Sequence, residues 1–85
     1  MEIAKVFGDV LRELRKHAKL NQEALAHASG VDRTYISLLE RGLRQPSLKS
    51  IFSICSALGI QPSEMIAIVE KRCHSEKHSS THSER

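Results

Sequence analysis

The stretch NQEALAHASGVDRTYISLLERG, Asn21 to Gly42, decides the fold of this chain. It contains two short helical segments joined around Gly30. Asn21 opens the first as an N-cap, because its side-chain oxygen can accept from the free N–H groups of a first turn. Glu23 follows where the helix dipole favours an anion. The segment runs from Gln22 to about Ala28. Gly30 then lets the chain turn in the left-handed conformation without a Cβ clash. Asp32 is the next N-cap candidate, and a second segment runs from Arg33 to about Arg41, ended by Gly42. Leu25, Val31, Ile36 and Leu39 fall where both helices turn inward, and Ala26 is small where they must cross closely. Two helices joined by so short a glycine turn are a helix-turn-helix.

On the N-terminal side, Ile3, Val6, Phe7, Val10, Leu11 and Leu14 are spaced by three and four, with Asp9, Arg12, Glu13 and Lys16 on the other face. That spacing predicts an amphipathic helix from about Ile3 to His17. Beyond Gly42, the loop Leu43-Arg44-Gln45-Pro46 leads to Ser47, an N-cap candidate. The following helix carries Leu48, Ile51, Phe52, Ile54, Cys55 and Leu58, and Gly59 stops it. Pro62 and Ser63 open a fifth helix, Glu64 to about Lys71. Phe52 and Met65 read as core. No alternation of period two is long enough for a strand. The fold class is therefore all-α, with five helices in one domain spanning residues 1–72.

Composition narrows the function classes. A chain of 85 residues has room for one small domain. A self-contained multi-step enzyme is not expected at that size. No run of roughly 20 apolar residues is present for a membrane span, and no secretory leader pattern occurs at the start. Ser, His and Asp lack nucleophile-elbow, phosphate-loop or zinc-protease spacing, so neither a catalytic residue nor a small-molecule substrate is assigned. Cys55 and Cys73 do not form the larger even set of a secreted disulfide scaffold, so a reduced, cytoplasmic protein is expected. The net charge is only +3. Arg33, Arg41, Arg44 and Lys49 nevertheless fall close together, with only Asp32 and Glu40 among them. A local basic patch is the electrostatic footprint of a phosphate backbone.

The words NQEALA, SGVDRTYISLLERG and PSLKSI…ALG, within a stretch covering roughly residues 3–70, resemble the Xre/Cro/CI-type phage-repressor family of bacterial transcription regulators. DRTYIS followed by Glu40-Arg41 and then Arg44 is similar to the small controller proteins of restriction–modification systems. The resemblance implies a phage-repressor-like DNA-binding domain acting as a homodimer on a near-palindromic site in double-stranded DNA, without a cofactor. It implies that Gln22 holds a phosphate and braces the recognition helix. Arg33 opens that helix, where its fork suits guanine O6 and N7, and Thr34, Ser37 and Leu38 lie further along the exposed face. Tyr35 is placed for a phosphate or for packing. Arg44 and Gln45 are expected at backbone or a flanking base, and Lys49 and Ser50 at phosphates. Arg15 and Glu40 match a family ion pair that locks the recognition helix to the first helix.

Two segments lie outside this scheme. In Met65-Ile66-Ala67-Ile68-Val69, Met65 and Val69 share the core-facing side while Ile66 and Ile68 point to opposite flanks. This excess of apolar surface predicts a dimer contact through Ile66 and Ile68. From Cys73 to Arg85 the chain has no apolar residue after the cysteine, and residues 73–85 are expected to be a disordered polar tail. His74, His78 and His82 are spaced by four beside Cys73, and imidazole and thiolate suit zinc or nickel. The surrounding serines are poor helix formers and no supporting shell is visible, so no metal is assigned. The rival reading is an antitoxin-like module that masks a partner protein and binds DNA secondarily. A tail without an apolar anchor argues against it.

Overall fold

The computed structural model describes residues 2–76. They form five helices: α1 (Ile3–His17), α2 (Gln22–Ser29), α3 (Arg33–Glu40), α4 (Leu48–Leu58) and α5 (Pro62–Glu76). The amphipathic stripe of α1 is its inner face, with Val6, Phe7, Val10 and Leu11 buried. They meet Leu25 and Ala26 of α2, Ile36 and Leu39 of α3, Ile54 and Cys55 of α4, and Met65 and Val69 of α5. The core is aliphatic apart from Phe7. Truncating a fully buried member such as Leu11 or Leu25 to alanine costs about 2–5 kcal/mol in cores of this kind.

The helix ends follow the local chemistry of the sequence. The Asn21 side chain accepts from the Ala24 N–H at 2.7 Å, and the Ser47 hydroxyl accepts from the Ser50 N–H at 3.0 Å. Gly30 ends α2 at φ 74°, left-handed as the turn demands. Asp32 occupies the N-cap position of α3 with extended backbone, but its side chain makes no capping bond. Among the described residues no single helix is long and apolar enough to cross a membrane.

Three expectations are corrected. Phe52 is not core: it is 57% exposed, and Leu48 is more exposed still. The buried line of α4 runs through Ile54 and Cys55, flanked by half-buried Ile51 and Leu58. Phe52 lies one residue, about 100°, beyond Ile51 and falls off that line. Ile3, placed on the stripe of α1, is likewise exposed, at 60%, although Ala4 and Val6 in the same turn are buried. The third correction concerns α5, which continues through Cys73 to Glu76. Two contacts hold the extra turn: Cys73 packs against the core, and the Arg72 guanidinium donates to both Glu13 oxygens, at 2.6 and 3.0 Å. The expectation of disorder over residues 77–85, and with it the His78 and His82 positions, lies outside the described residues.

Candidate nucleic-acid interface

The helix-turn-helix unit is built by α2, the Gly30 turn and α3. After Gly30, the Val31 N–H returns to the Ala26 carbonyl at 3.0 Å, closing α2 and launching α3 at a fixed angle. Ala26 and Leu25 are buried on one side of the turn, Ile36 and Leu39 on the other. Burial of these residues fixes which face of α3 looks outward. Arg33 and Thr34 are exposed, while Tyr35, Ser37 and Leu38 are half-buried at the margin.

The C-terminal end of α3 is held from inside. Glu40 is fully buried. Its Oε2 accepts from Arg15 Nε at 2.6 Å, and its Oε1 accepts from Arg15 Nη2 and from Gln22 Nε2, each at 3.0 Å. Arg12 Nε also reaches Oε1, at 3.5 Å. Arg15 donates its remaining amino group to the Leu20 carbonyl at 2.9 Å. One guanidinium thus ties α1 to the end of α3 and to the turn before α2. Burial alone would push the Glu40 carboxyl up. The hydrogen bonds from Arg15 and Gln22, the Arg15 charge and the Arg12 bond outweigh it and hold Glu40 below the ordinary carboxylate value. The Arg15 guanidinium is raised in turn, chiefly by its hydrogen bonds to Glu40.

Gly8 carries no expectation from the sequence and Arg12 is expected on the outer face of α1, yet both belong to this lock. A Cβ on Gly8 would stand 2.3 Å from the Leu39 carbonyl oxygen and 2.7 Å from that of Glu40. The backbones of α1 and α3 approach so closely there that only glycine fits. A glycine in mid-helix normally costs stability, and that mismatch was the available signal. Arg12 lies three residues before Arg15, on the same helix face, which is the signal for its part.

A second tie joins α3 to α4. The Tyr35 hydroxyl donates to Ser50 Oγ at 2.9 Å and accepts from the Ser47 N–H at 3.4 Å. The half-buried Tyr35 hydroxyl thus bridges α3 to the start of α4. Arg44 lies over the Tyr35 ring, 5.6 Å from its centroid. Gln45 and Lys49 are exposed beside it, and Ser50 is part of the Tyr35 and Ser47 network.

The outer surface is therefore cationic and unpaired. Among the described residues none of Arg33, Arg41, Arg44 and Lys49 takes part in a salt bridge, whereas Arg12, Arg15 and Arg72 all do. Arg33 also lines an open polar recess with Arg15, Asn21, Gln22 and Glu23, at the junction of the α2 and α3 N-terminal ends. Ile66 and Ile68 part company: Ile66 is exposed, and Ile68 packs half-buried on the core.

Comparison with known proteins agrees with this geometry. The helix-turn-helix family matches residues 11–65, from mid-α1 to the start of α5. The control protein C.BamHI of Bacillus amyloliquefaciens is 42% identical over 65 residues, covering 75% of this chain and 80% of that protein. The crystal structure of the restriction–modification controller protein C.AhdI from Aeromonas hydrophila superposes with a TM-score of 0.71 at 47% identity, covering 73% of this chain and 94% of that one. The controller protein C.Esp1396I, solved as a tetramer in complex with its natural 35 base-pair operator, gives 0.76 at 30% identity, covering 84% of this chain and 93% of that one.

Proposed function

The chain belongs to the Xre-type helix-turn-helix family, and we propose that it is a sequence-specific DNA-binding regulator of bacterial transcription with α3 as its recognition helix. One observation carries the reading: α3 is locked at its buried end by Glu40, while its opening turn presents Arg33 and Thr34 outward without internal partners among the described residues. A rigid helix with a free arginine at its N-terminal end is what major-groove readout requires. Arg33 reads a guanine, and Thr34, Ser37 and Leu38 face neighbouring base edges. Arg44, Gln45 and Lys49 track the phosphate backbone beside them. Gln22 braces Glu40 with one amide hydrogen and turns the other toward a phosphate.

Regulation follows from occupancy of the operator, in the bacterial cytoplasm where that DNA lies. The likeness to controller proteins supports a role in governing a restriction–modification gene set. The protein works as a homodimer, which sets two recognition helices about one DNA turn, roughly 34 Å, apart. Of the large apolar residues left open on α4 and α5, which are Leu48, Phe52 and Ile66, Phe52 and Ile66 supply the dimer face, and Ile68 supports it from the core side.

Selection of bound sequences from a random duplex pool tests the whole reading. The expected product is a near-palindrome with half-sites about 10 base pairs apart. Recovery of no preferred sequence would overturn it. Ile66→Glu is expected to give a folded monomer with much weaker binding to the selected site. A parent protein that stays monomeric on that site would sink the dimer.

A further inference from the structure

Among the described residues, four helix ends close in the same way. A residue with positive φ donates its N–H three residues back, and the next N–H reaches five residues back. At three of the four ends that residue is glycine, at positions 30, 42 and 59, with φ of 73–74°. At the fourth, between α1 and α2, it is Lys19, with φ 62°. The pattern there is identical: Lys19 N–H to the Lys16 carbonyl at 2.9 Å and Leu20 N–H to the Arg15 carbonyl at 3.2 Å. A Cβ at Gly30 or Gly59 would meet nothing within 4 Å, so glycine stands at those ends for its backbone freedom and not for want of room. Lys19 bears the left-handed strain that glycine relieves elsewhere. Its exposed side chain gains no salt bridge within the described residues in return. Strain of this kind, held by its surroundings, points to a use for the side chain.

The location supplies the use. Lys19 stands two residues before Asn21, which lines the recess shared with Arg33. Two residues span at most about 7 Å, within the roughly 10 Å over which charges act at 0.1 M salt. From residue 14 to residue 31 the cations are Arg15, Lys16 and Lys19 and the only acid is Glu23, with Arg15 already neutralised by Glu40. We propose that the turn between α1 and α2 is a further DNA-backbone contact, with Lys19 as its phosphate ligand, outside the helix-turn-helix unit itself. This rests on the DNA-binding reading above, and it assigns the strained backbone a purpose: the turn gives up stability to place one positive charge.

Three variants separate charge from strain. Lys19→Gly removes both, Lys19→Gln removes the charge and keeps the strain, and Lys19→Arg keeps both. Each is melted and titrated, at several salt concentrations, against a labelled selected duplex of about 30 base pairs, long enough to extend past two half-sites about 10 base pairs apart. Lys19→Gly is expected to raise Tm by several degrees while binding about tenfold more weakly. Its salt slope should fall by about two for a dimer, near 0.9 per lost phosphate contact. Lys19→Gln should show the same fall in slope without the gain in Tm, and Lys19→Arg should follow the parent. Parental affinity and slope in both Lys19→Gly and Lys19→Gln would overturn the proposal while leaving the DNA-binding reading intact. A parent that binds no duplex would overturn that reading and this one with it.

Discussion

The two ends of α3 are built on opposite terms. At its C-terminal end Glu40 is fully buried and accepts from three side chains on two other helices. At its N-terminal end Arg33 and Thr34 stand exposed, and Asp32 does not even cap the helix with its side chain. The buried end satisfies polar groups in order to fix an orientation. The open end leaves them unsatisfied so that a partner can satisfy them. A recognition element needs both, because readout of base edges depends on placing donors to within a fraction of an ångström.

The largest effect is expected from Arg15→Ala, which leaves the Glu40 carboxylate buried with only Gln22 and a long Arg12 contact. Removing one partner of such a pair costs about 3–5 kcal/mol. A denaturant melt matching the parent would refute the lock. The same pair has a pH signature. Because Glu40 is held below its ordinary value of 4.5, its contribution is complete above that pH and is lost as the pH falls through the lowered value. The parent should therefore lose stability in acid more steeply than the Arg15→Ala variant.

Gly8→Ala attacks the same end without touching a charge. The new Cβ would meet two backbone carbonyls, which cannot swing aside as a flexible side chain can. The expected loss lies at the upper end of the about 1–3 kcal/mol typical of overpacking. Operator affinity should fall as well, since α3 must shift to make room. A variant as stable as the parent would mean that α1 and α3 are free to separate.

At the open end, Arg33→Ala should leave the melt unchanged and cost about 1–3 kcal/mol of binding per half-site, with relaxed preference at one base. Arg44→Ala and Lys49→Ala should instead weaken all sequences about equally and lower the salt slope. Titration against single-base variants of the selected site distinguishes the two patterns. If Arg33→Ala weakened every sequence equally while Arg44→Ala changed base preference, the two roles would be exchanged.

The same contrast explains what was legible in the sequence. Asn21, Gly30 and Ser47 act through bonds within a few residues of themselves, so local chemistry placed the helix ends. The Arg15–Glu40 pair spans 25 residues, and residue types alone do not pair them; family resemblance did. Phe52 failed for the opposite reason: helical spacing gives a face its apolar count but not its edge, and only the packing of α4 shows that the buried line excludes it. The Tyr35–Ser50–Ser47 network was out of reach because it depends on how α4 docks against α3. The turn of α5 beyond Lys71 was missed because its support comes from Glu13, on another helix. Composition alone marked that segment as polar tail.

That last contact is the smallest effect and the sharpest control. Arg72 and Glu13 form a two-point pair with distances of 2.6 and 3.0 Å, as short as those of the buried Arg15–Glu40 pair. The geometry is alike and the setting is not, since both partners sit at the surface. In water an ion pair gains little net free energy, because solvent and salt compete for both charges. Glu13→Gln should therefore leave the global melt where it is. What it should change is local: amide hydrogen exchange over residues 72–76 should quicken as the last turn of α5 loses its tie to α1. High salt should quicken the same amides in the parent. In acid the same amides should lose protection relative to their intrinsic exchange rate at that pH, since the Arg72 hydrogen bonds hold the Glu13 carboxyl below its ordinary value of 4.5 and the tie is lost as the pH falls through that lowered value. If Glu13→Gln instead lowered the global melt as far as Arg15→Ala does, distance and not burial would be what makes an ion pair a lock, and the contrast between the two ends of α3 would lose its physical basis.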